Sequence, residues 1–330
     1  MLSSIYQFNR LLAFANWLAC IVLMAWLAML SVDNNLQSDY RIYEAAYNGM
    51  VLFKFETCEG MELGWCLPAM LMSHYEMPYA DVAFFFSFLI YGLTFGFLVR
   101  SAFIAGVTNY YAGVGLLIFG FAFLRPEMAS HLTRQYLAAM FLLLAILELK
   151  SKGRLVWVWF VFAVMFHISA LVMFPVFVCI RNFEFELKKL LGVMGVLTGL
   201  LFLAKLEFFR GFVDWGLAVN IEPRILYNIL YKIKYIAQQD DVLPFWKGAV
   251  LGFGVFVAIP FLKMVRVKAF FYCYAYFLWL MAVTHHFSTI YFVRLFHYEK
   301  IILFGMVVMI AFELLSTHSN RAEYEWKPQK

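Results

Sequence analysis

Several windows of 18 or more residues in this chain contain no Asp, Glu, Lys or Arg, and one of them, residues 155–180, runs for 26 residues. About 20 apolar residues cross the roughly 30 Å hydrocarbon core of a bilayer as an α-helix. Repeated along one chain, such runs read as membrane spans. Composition agrees. The chain is 64% hydrophobic and 14% charged, against about 45–50% and about 25% for an ordinary globular domain. There is too little polar surface to cover a soluble particle. A soluble enzyme, a secreted disulfide scaffold and a disordered chain are all excluded. The net charge of +5 is too small and too dispersed for a nucleic-acid partner.

The expected fold class is all-α: a polytopic integral membrane protein with ten candidate crossings. They lie at residues 11–31, 79–99, 103–124, 136–149, 155–166, 168–180, 190–204, 245–262, 269–284 and 298–315. The first follows Arg10 and has no small-residue cleavage site, so it reads as an anchor. The whole of 1–330 is expected to be a single transmembrane domain. Two longer segments, 32–78 and 205–244, lie on one side of it. Within the first, residues 64–73 form an apolar stretch too short to cross, which reads as a re-entrant or interfacial helix.

Cations in the short connections set orientation. Under this reading 14 of the 26 cations gather on one side. The other side carries 15 of the 21 acids and is net negative. The cation-dense side is therefore cytoplasmic, with both termini on it, and the two long segments face outward. Residues 155–180 decide the parity. At 1.5 Å per residue they make one helix of about 39 Å, or two short helices broken near residues 167–169. The broken pair keeps Lys188, Lys189 and the Lys263–Lys268 cluster inside, and it is the expected arrangement. Non-helical backbone at membrane depth must line protein or water.

The cysteines offer no metal site. Cys20, Cys179 and Cys273 lie in spans and read as small apolar packers. Cys58 and Cys66 share the outer face, where either a disulfide or two free thiols fits. No Gly-rich phosphate loop, Gly-x-Ser-x-Gly elbow or His-Glu-x-x-His pair occurs. His285 and His286 lack acids or cysteines at ligand spacing. No metal and no cofactor is expected.

Candidate chemistry sits among polar residues at the outer face. Arg125 and Arg134 flank the fourth span, with Gln135 beside Arg134, and Arg294 precedes the tenth with Tyr298 four positions on. A guanidinium fork grips phosphate oxygens in pairs and stays charged at any working pH. The alternative is that these cations snorkel to lipid headgroups. His167 interrupts an apolar run, where an ionisable group is costly. It reads either as a general base toward a sugar hydroxyl or as a packing residue bonded to Ser169 or a carbonyl. Asp39, Tyr40, Tyr43 and Tyr47 are spaced as one face of a short helix, with Glu44 beside them. Such a face suits sugar binding, and an interfacial aromatic belt uses the same spacing. Tyr227, Tyr231, Lys234 and Tyr235 form a second aromatic-basic face in the later outer segment, read as a lid or as a surface helix.

Taken in order, these residues resemble a family. Arg134-Gln135-Tyr136-Leu137-Ala138, a short span, the cations from Lys150 to Arg154, then Phe166-His167-Ile168-Ser169-Ala170-Leu171 resemble the EpsG/Wzy-type polysaccharide polymerases of bacteria. Asp39-Tyr40-x-x-Tyr43-x-x-x-Tyr47 is similar to the family's early outer-face motif. Glu62-Leu63-Gly64-Trp65 resembles its Glu-Pro-Gly-Tyr element, with Leu for Pro and Trp for Tyr. Arg294-Leu295-Phe296-His297-Tyr298 is similar to its late Arg-x-x-x-Tyr-Phe signature.

The resemblance implies an O-antigen or exopolysaccharide repeat-unit polymerase, similar to multi-span glycosyltransferases that use lipid-phosphate donors without a metal. Its substrate would be an undecaprenyl-diphosphate-linked oligosaccharide at the periplasmic face of the bacterial inner membrane. A chain-length regulator and a flippase of the same pathway are the implied partners, besides the bilayer. On that reading Arg134 and Arg294, with Arg125, bind the donor diphosphate. His167, or else Glu62, deprotonates the acceptor hydroxyl, while Asp39, Tyr40 and Tyr43 contact sugar beside Gln135, Ser169 and Tyr298. A lipid-linked oligosaccharide flippase and an O-antigen ligase are the rival readings.

Overall fold

A computed structural model of the chain describes residues 2–33, 38–52, 54–58, 61–105, 133–149, 154–182, 268–285, 298 and 300–315, with nine isolated positions between 192 and 218. The described residues are predominantly helical, with short turns and irregular links and no strand among them. The helices are α1 (Leu2–Asp33), α2 (Ser38–Asn48), α3 (Leu63–His74), α4 (Tyr79–Ala105), α5 (Thr133–Glu148), α6 (Leu155–Phe166), α7 (Phe174–Asn182) and α8 (Lys268–His285). Two 3-10 turns, Phe55–Cys58 and Ile168–Met173, precede α3 and α7. Residues 300–315 are helical as well.

The all-helical expectation holds. Among the described residues one helix, α4, is long and apolar enough to cross a membrane by length and composition. Shorter apolar helical stretches occupy Trp17–Val32, Leu155–Phe166, Ile168–Val178 and Ala269–Met281. The expected span at 245–262, most of those at 103–124 and 190–204, and most of the second outer segment at 205–244 lie outside the described residues.

The chain divides into two compact units. The first comprises Met1–Ala145, Trp157–Leu171 and Leu315–Lys330, and the second Ile146–Val156 and Val172–Leu314. In the first unit α1 packs along α4. Ser31 Oγ donates to Leu27 carbonyl oxygen at 2.9 Å and lies 3.2 Å from the Tyr91 hydroxyl, so these two hydroxyls are satisfied within the apolar seam. Phe141 of α5 stacks on Phe162 and Phe166 of α6, with centroids 5.4 Å away in each case. In the second unit Tyr276 of α8 donates to Val172 carbonyl oxygen at 2.9 Å, and Phe277 stacks on Tyr298.

The break expected within 155–180 falls at His167. The α-helix stops at Phe166, His167 is not helical, and the backbone resumes as a 3-10 turn. The imidazole sits in that irregularity and bonds backbone there, a local competition that side-chain acceptors exert on helices.

The short apolar stretch expected at 64–73 is α3. Its 12 residues span about 18 Å, well below the hydrocarbon thickness. Leu63, Leu67 and Leu71 recur every four residues and are exposed, while Trp65, Cys66, Ala69 and Met70 are buried. Its C-terminus closes through Met77 N–H to Met72 carbonyl oxygen and Glu76 N–H to Ser73 carbonyl oxygen, with Glu76 at φ 54°. That is the paired closure of helix ends, with the left-handed residue one place past the cap.

Candidate functional site

Glu62 occupies the N-cap of α3 with extended backbone, φ −79° and ψ 149°, and its carbonyl receives the Trp65 and Cys66 amides at 3.1 and 3.0 Å. A short side-chain oxygen at this position, as in Ser, Thr, Asp or Asn, ordinarily accepts from its own helix's first amides. Here the side chain makes no such capping bond. It reaches instead to Nη1 of Arg134, at the start of α5, in a hydrogen-bonded ion pair through Oε2. Its other oxygen, Oε1, lies 4.0 Å from His167 Nε2. One carboxylate thus faces a fixed cation and an imidazole that sequence separates by 33 positions.

Gly64 makes this approach feasible. A Cβ at that position would sit 2.9 Å from both the carbonyl carbon and the oxygen of Met165, and 3.0 Å from the Phe166 ring. Real Cβ atoms do not come so close to backbone. The bare Cα lets the first turn of α3 rest against the end of α6, directly before His167.

Arg134 is held on a second side. Its Nε donates to the Tyr43 hydroxyl at 3.1 Å, and its guanidinium carbon stands 5.1 Å from the Tyr43 ring centroid. The planar fork therefore uses an edge and a face at once, which a lysine could not copy. Tyr43 in turn packs on Trp65 at 5.4 Å, and Trp65 stacks on Phe86 of α4 at 6.1 Å. Three residues of Glu62-Leu63-Gly64-Trp65 thus have separate work: ion pairing, close approach and aromatic support.

A family model matches residues 16–322, the model of the EpsG family. The chain belongs to the EpsG family. No curated protein and no solved structure matches it. EpsG membership points to a membrane setting and to a polysaccharide-polymerase-like role of glycosyltransferase character.

In this EpsG protein the tautomer of His167 follows from its neighbours. The Ser169 amide, which can only donate, is 3.2 Å from Nδ1, and Ser169 Oγ is 2.6 Å from the same nitrogen. Nδ1 is therefore the acceptor, and the ring proton of the neutral imidazole lies on Nε2, facing Glu62. His167 is also 6% exposed. In that tautomer the Nε2 proton faces the carboxylate, with Nε2 4.0 Å from Glu62 Oε1.

The EpsG tyrosine face forms as spacing required. Tyr40, Tyr43 and Tyr47 are all buried on one side of α2. They turn into the protein: Tyr40 meets Tyr79 edge-on at 4.8 Å, and the Tyr47 hydroxyl donates to Met77 carbonyl oxygen at 2.6 Å. Burial pushes the Tyr40 phenol above its ordinary value, with Glu44 adding to the shift. Asp39 lies in the first turn of α2. Gln135 follows Arg134 and is buried, with no hydrogen-bond partner for its Oε1 among the described residues. Tyr298 is buried against Phe277 in the second unit. Arg125 and Arg294, expected beside Arg134, lie outside the described residues, as does His286.

Cys58 and Cys66 form a disulfide, with Cα atoms 5.9 Å apart. Of the two states left open by sequence, a bridge or two free thiols, the bridge is the one present. Among the described residues no group of three or more His, Cys, Asp or Glu could hold a metal ion.

Sequence reasoning named Glu62, Arg134, His167 and Ser169 but not what supports them. Trp65 as a platform, Gly64 as the point of contact and Tyr79 as partner of both Tyr40 and Tyr47 were absent from it. The glycine and tryptophan of the Glu-Leu-Gly-Trp element were the available signal.

Proposed function

We propose that this EpsG protein joins undecaprenyl-diphosphate-linked oligosaccharide repeat units by glycosyl transfer at the periplasmic face of the inner membrane. The observation carrying the reading is the Arg134–Glu62–His167 arrangement, an acid and a permanent cation held together beside a helix break. Two atoms 4.0 Å apart can both reach one hydroxyl oxygen at about 2.8 Å from each. An acceptor sugar hydroxyl would therefore donate to Glu62 Oε1 while accepting from His167 Nε2–H. Of the two base candidates, this geometry favours Glu62, with His167 orienting the nucleophile.

The bond from the acceptor oxygen to the anomeric carbon of the donor chain forms, and that carbon's bond to the diphosphate oxygen breaks. The hydroxyl proton passes to Glu62, and the lipid diphosphate leaves with the electron pair. As Glu62 takes the proton, its negative charge disappears just as charge develops on the leaving diphosphate. Arg134 then exchanges one anionic partner for another without moving far, which is electrostatic stabilisation aimed at the transition state. Arg125, Arg294 and Asp39 remain further candidates for diphosphate and sugar contact, and Tyr43 is assigned to orienting Arg134.

The support for a polymerase over a flippase is this paired acid and cation, which transport does not require. Deletion of the gene and electrophoresis of the surface polysaccharide test it. Loss of the ladder with retention of a single capped repeat is the expected result. Loss of every repeat would instead indicate a flippase or an O-antigen ligase.

A further inference from the structure

Glu62 stands inside a covalent loop. Cys58, the last residue of the 3-10 turn, lies four positions before it, and Cys66, one helical turn into α3, lies four positions after. The bridge joins residues eight positions apart. Within that loop Met61 N–H bonds Cys58 carbonyl oxygen at 2.9 Å, and Cys66 N–H bonds Glu62 carbonyl oxygen at 3.0 Å. Both cysteines are buried, and Met70 Sδ lies 3.4 Å from each sulfur. On the chain-entropy account, a bridge gains least from restricting the unfolded chain when its loop is this short. What it restricts most here is the path of the backbone through Glu62.

That restriction has an identifiable competitor. A carboxylate at a helix N-terminus gains by lying near the first amides of its own helix. In this protein it does not, and it points at Arg134 and toward His167 instead. We propose that Cys58 and Cys66 are positioning residues for Glu62, whose disulfide keeps the carboxylate in register with Arg134 and His167. With the bridge open the backbone at Glu62 loosens and the carboxylate turns back toward the first amides of α3. The oxidising outer face of the membrane keeps the bridge closed. A dithiol opens it by supplying two electrons and two protons, leaving two cysteine thiols and closing into its own cyclic disulfide. The inference rests on Glu62 being the base, as read above.

The full-length protein in lipid nanodiscs, supplied with lipid-linked repeat units, provides the test. Cys58→Ala/Cys66→Ala should lower kcat by about ten- to a hundredfold, the scale of an ångström of misplacement, with KM within about twofold. Wild-type kcat in this variant, or a raised KM with kcat unchanged, overturns the proposal. Should the variant aggregate, wild-type protein is treated with dithiothreitol until mass spectrometry shows both thiols. A fall in kcat restored by oxidised glutathione supports it, and an undiminished kcat overturns it. Glu62→Gln is run in parallel. A fully active Glu62→Gln protein removes the reading of the base itself, whereas an inactive one beside an unaffected double variant removes only the role of the bridge.

Discussion

The Oε1 atom of Glu62 lies 4.0 Å from Nε2 of His167, although the two residues are 105 positions apart and neither lies within a regular α-helix. Glu62 is the cap residue before α3, and His167 is the gap after α6. Both sit where backbone regularity lapses, so their side chains can be aimed without the 3.6-residue geometry of a helix. Arg134 completes the arrangement from the first turn of α5.

Arg134→Lys keeps the charge and discards the fork. A single ammonium cannot hold Glu62, the Tyr43 hydroxyl and a diphosphate in the same plane. Polymerisation should fall by about 10²-fold, the loss typical of removing one oriented donor, while the protein accumulates normally. Electrophoresis of polysaccharide from a complemented deletion strain, with immunoblotting for protein level, measures both.

Gly64→Ala places a methyl group 2.9 Å from the Met165 backbone. Because backbone cannot step aside as a flexible side chain does, α3 must shift from the end of α6. Overpacking of this kind costs about 1–3 kcal/mol. A lowered unfolding temperature in a thermal-shift assay, accompanied by reduced polymerisation, is the expected outcome. Unchanged stability would mean that the helices do not meet there.

Ser169→Ala removes the hydroxyl near His167 Nδ1 but keeps the backbone amide that also reaches it. The tautomer is retained and the orientation loosened. A loss of about 1 kcal/mol in transition-state stabilisation, several-fold in kcat, follows from one lost neutral hydrogen bond. Steady-state kinetics on the purified protein should show that intermediate value, between wild type and His167→Ala.

Tyr47→Phe separates support from chemistry. It deletes the 2.6 Å hydrogen bond to Met77 carbonyl oxygen and leaves the ring packed on Tyr79. Stability should drop by about 1 kcal/mol, with kcat within about twofold of wild type. A collapse of kcat at normal stability would place Tyr47 in the reacting cluster.

Which parts of this were legible in sequence follows from the physics of each signal. Uncharged runs are local and long, so an all-helical chain could be read directly, and the tyrosine face of α2 followed from spacing alone. The break at His167 was legible because an imidazole in an apolar run must find partners, and Ser169 two residues on supplied one. Glu62 meeting His167 was not legible, since no periodicity links a helix cap to a helix break 105 residues later. Nor was the destination of the tyrosines. Spacing says that Tyr40 and Tyr43 share a face, but not whether that face meets sugar, lipid or Trp65 and Tyr79. The cysteines show the same limit: eight residues of separation permits a bridge, and only the fold of the turn before α3 brings the two Cα atoms within 5.9 Å.

The most direct measurement is polymerisation by purified Glu62→Gln protein given lipid-linked repeat units. Glutamine keeps the shape and a hydrogen bond to Arg134 but cannot accept the hydroxyl proton. The account predicts no ladder beyond the single unit, a loss of at least about 10²-fold in rate, in protein that stays folded and monodisperse. A ladder formed at the wild-type rate would contradict it.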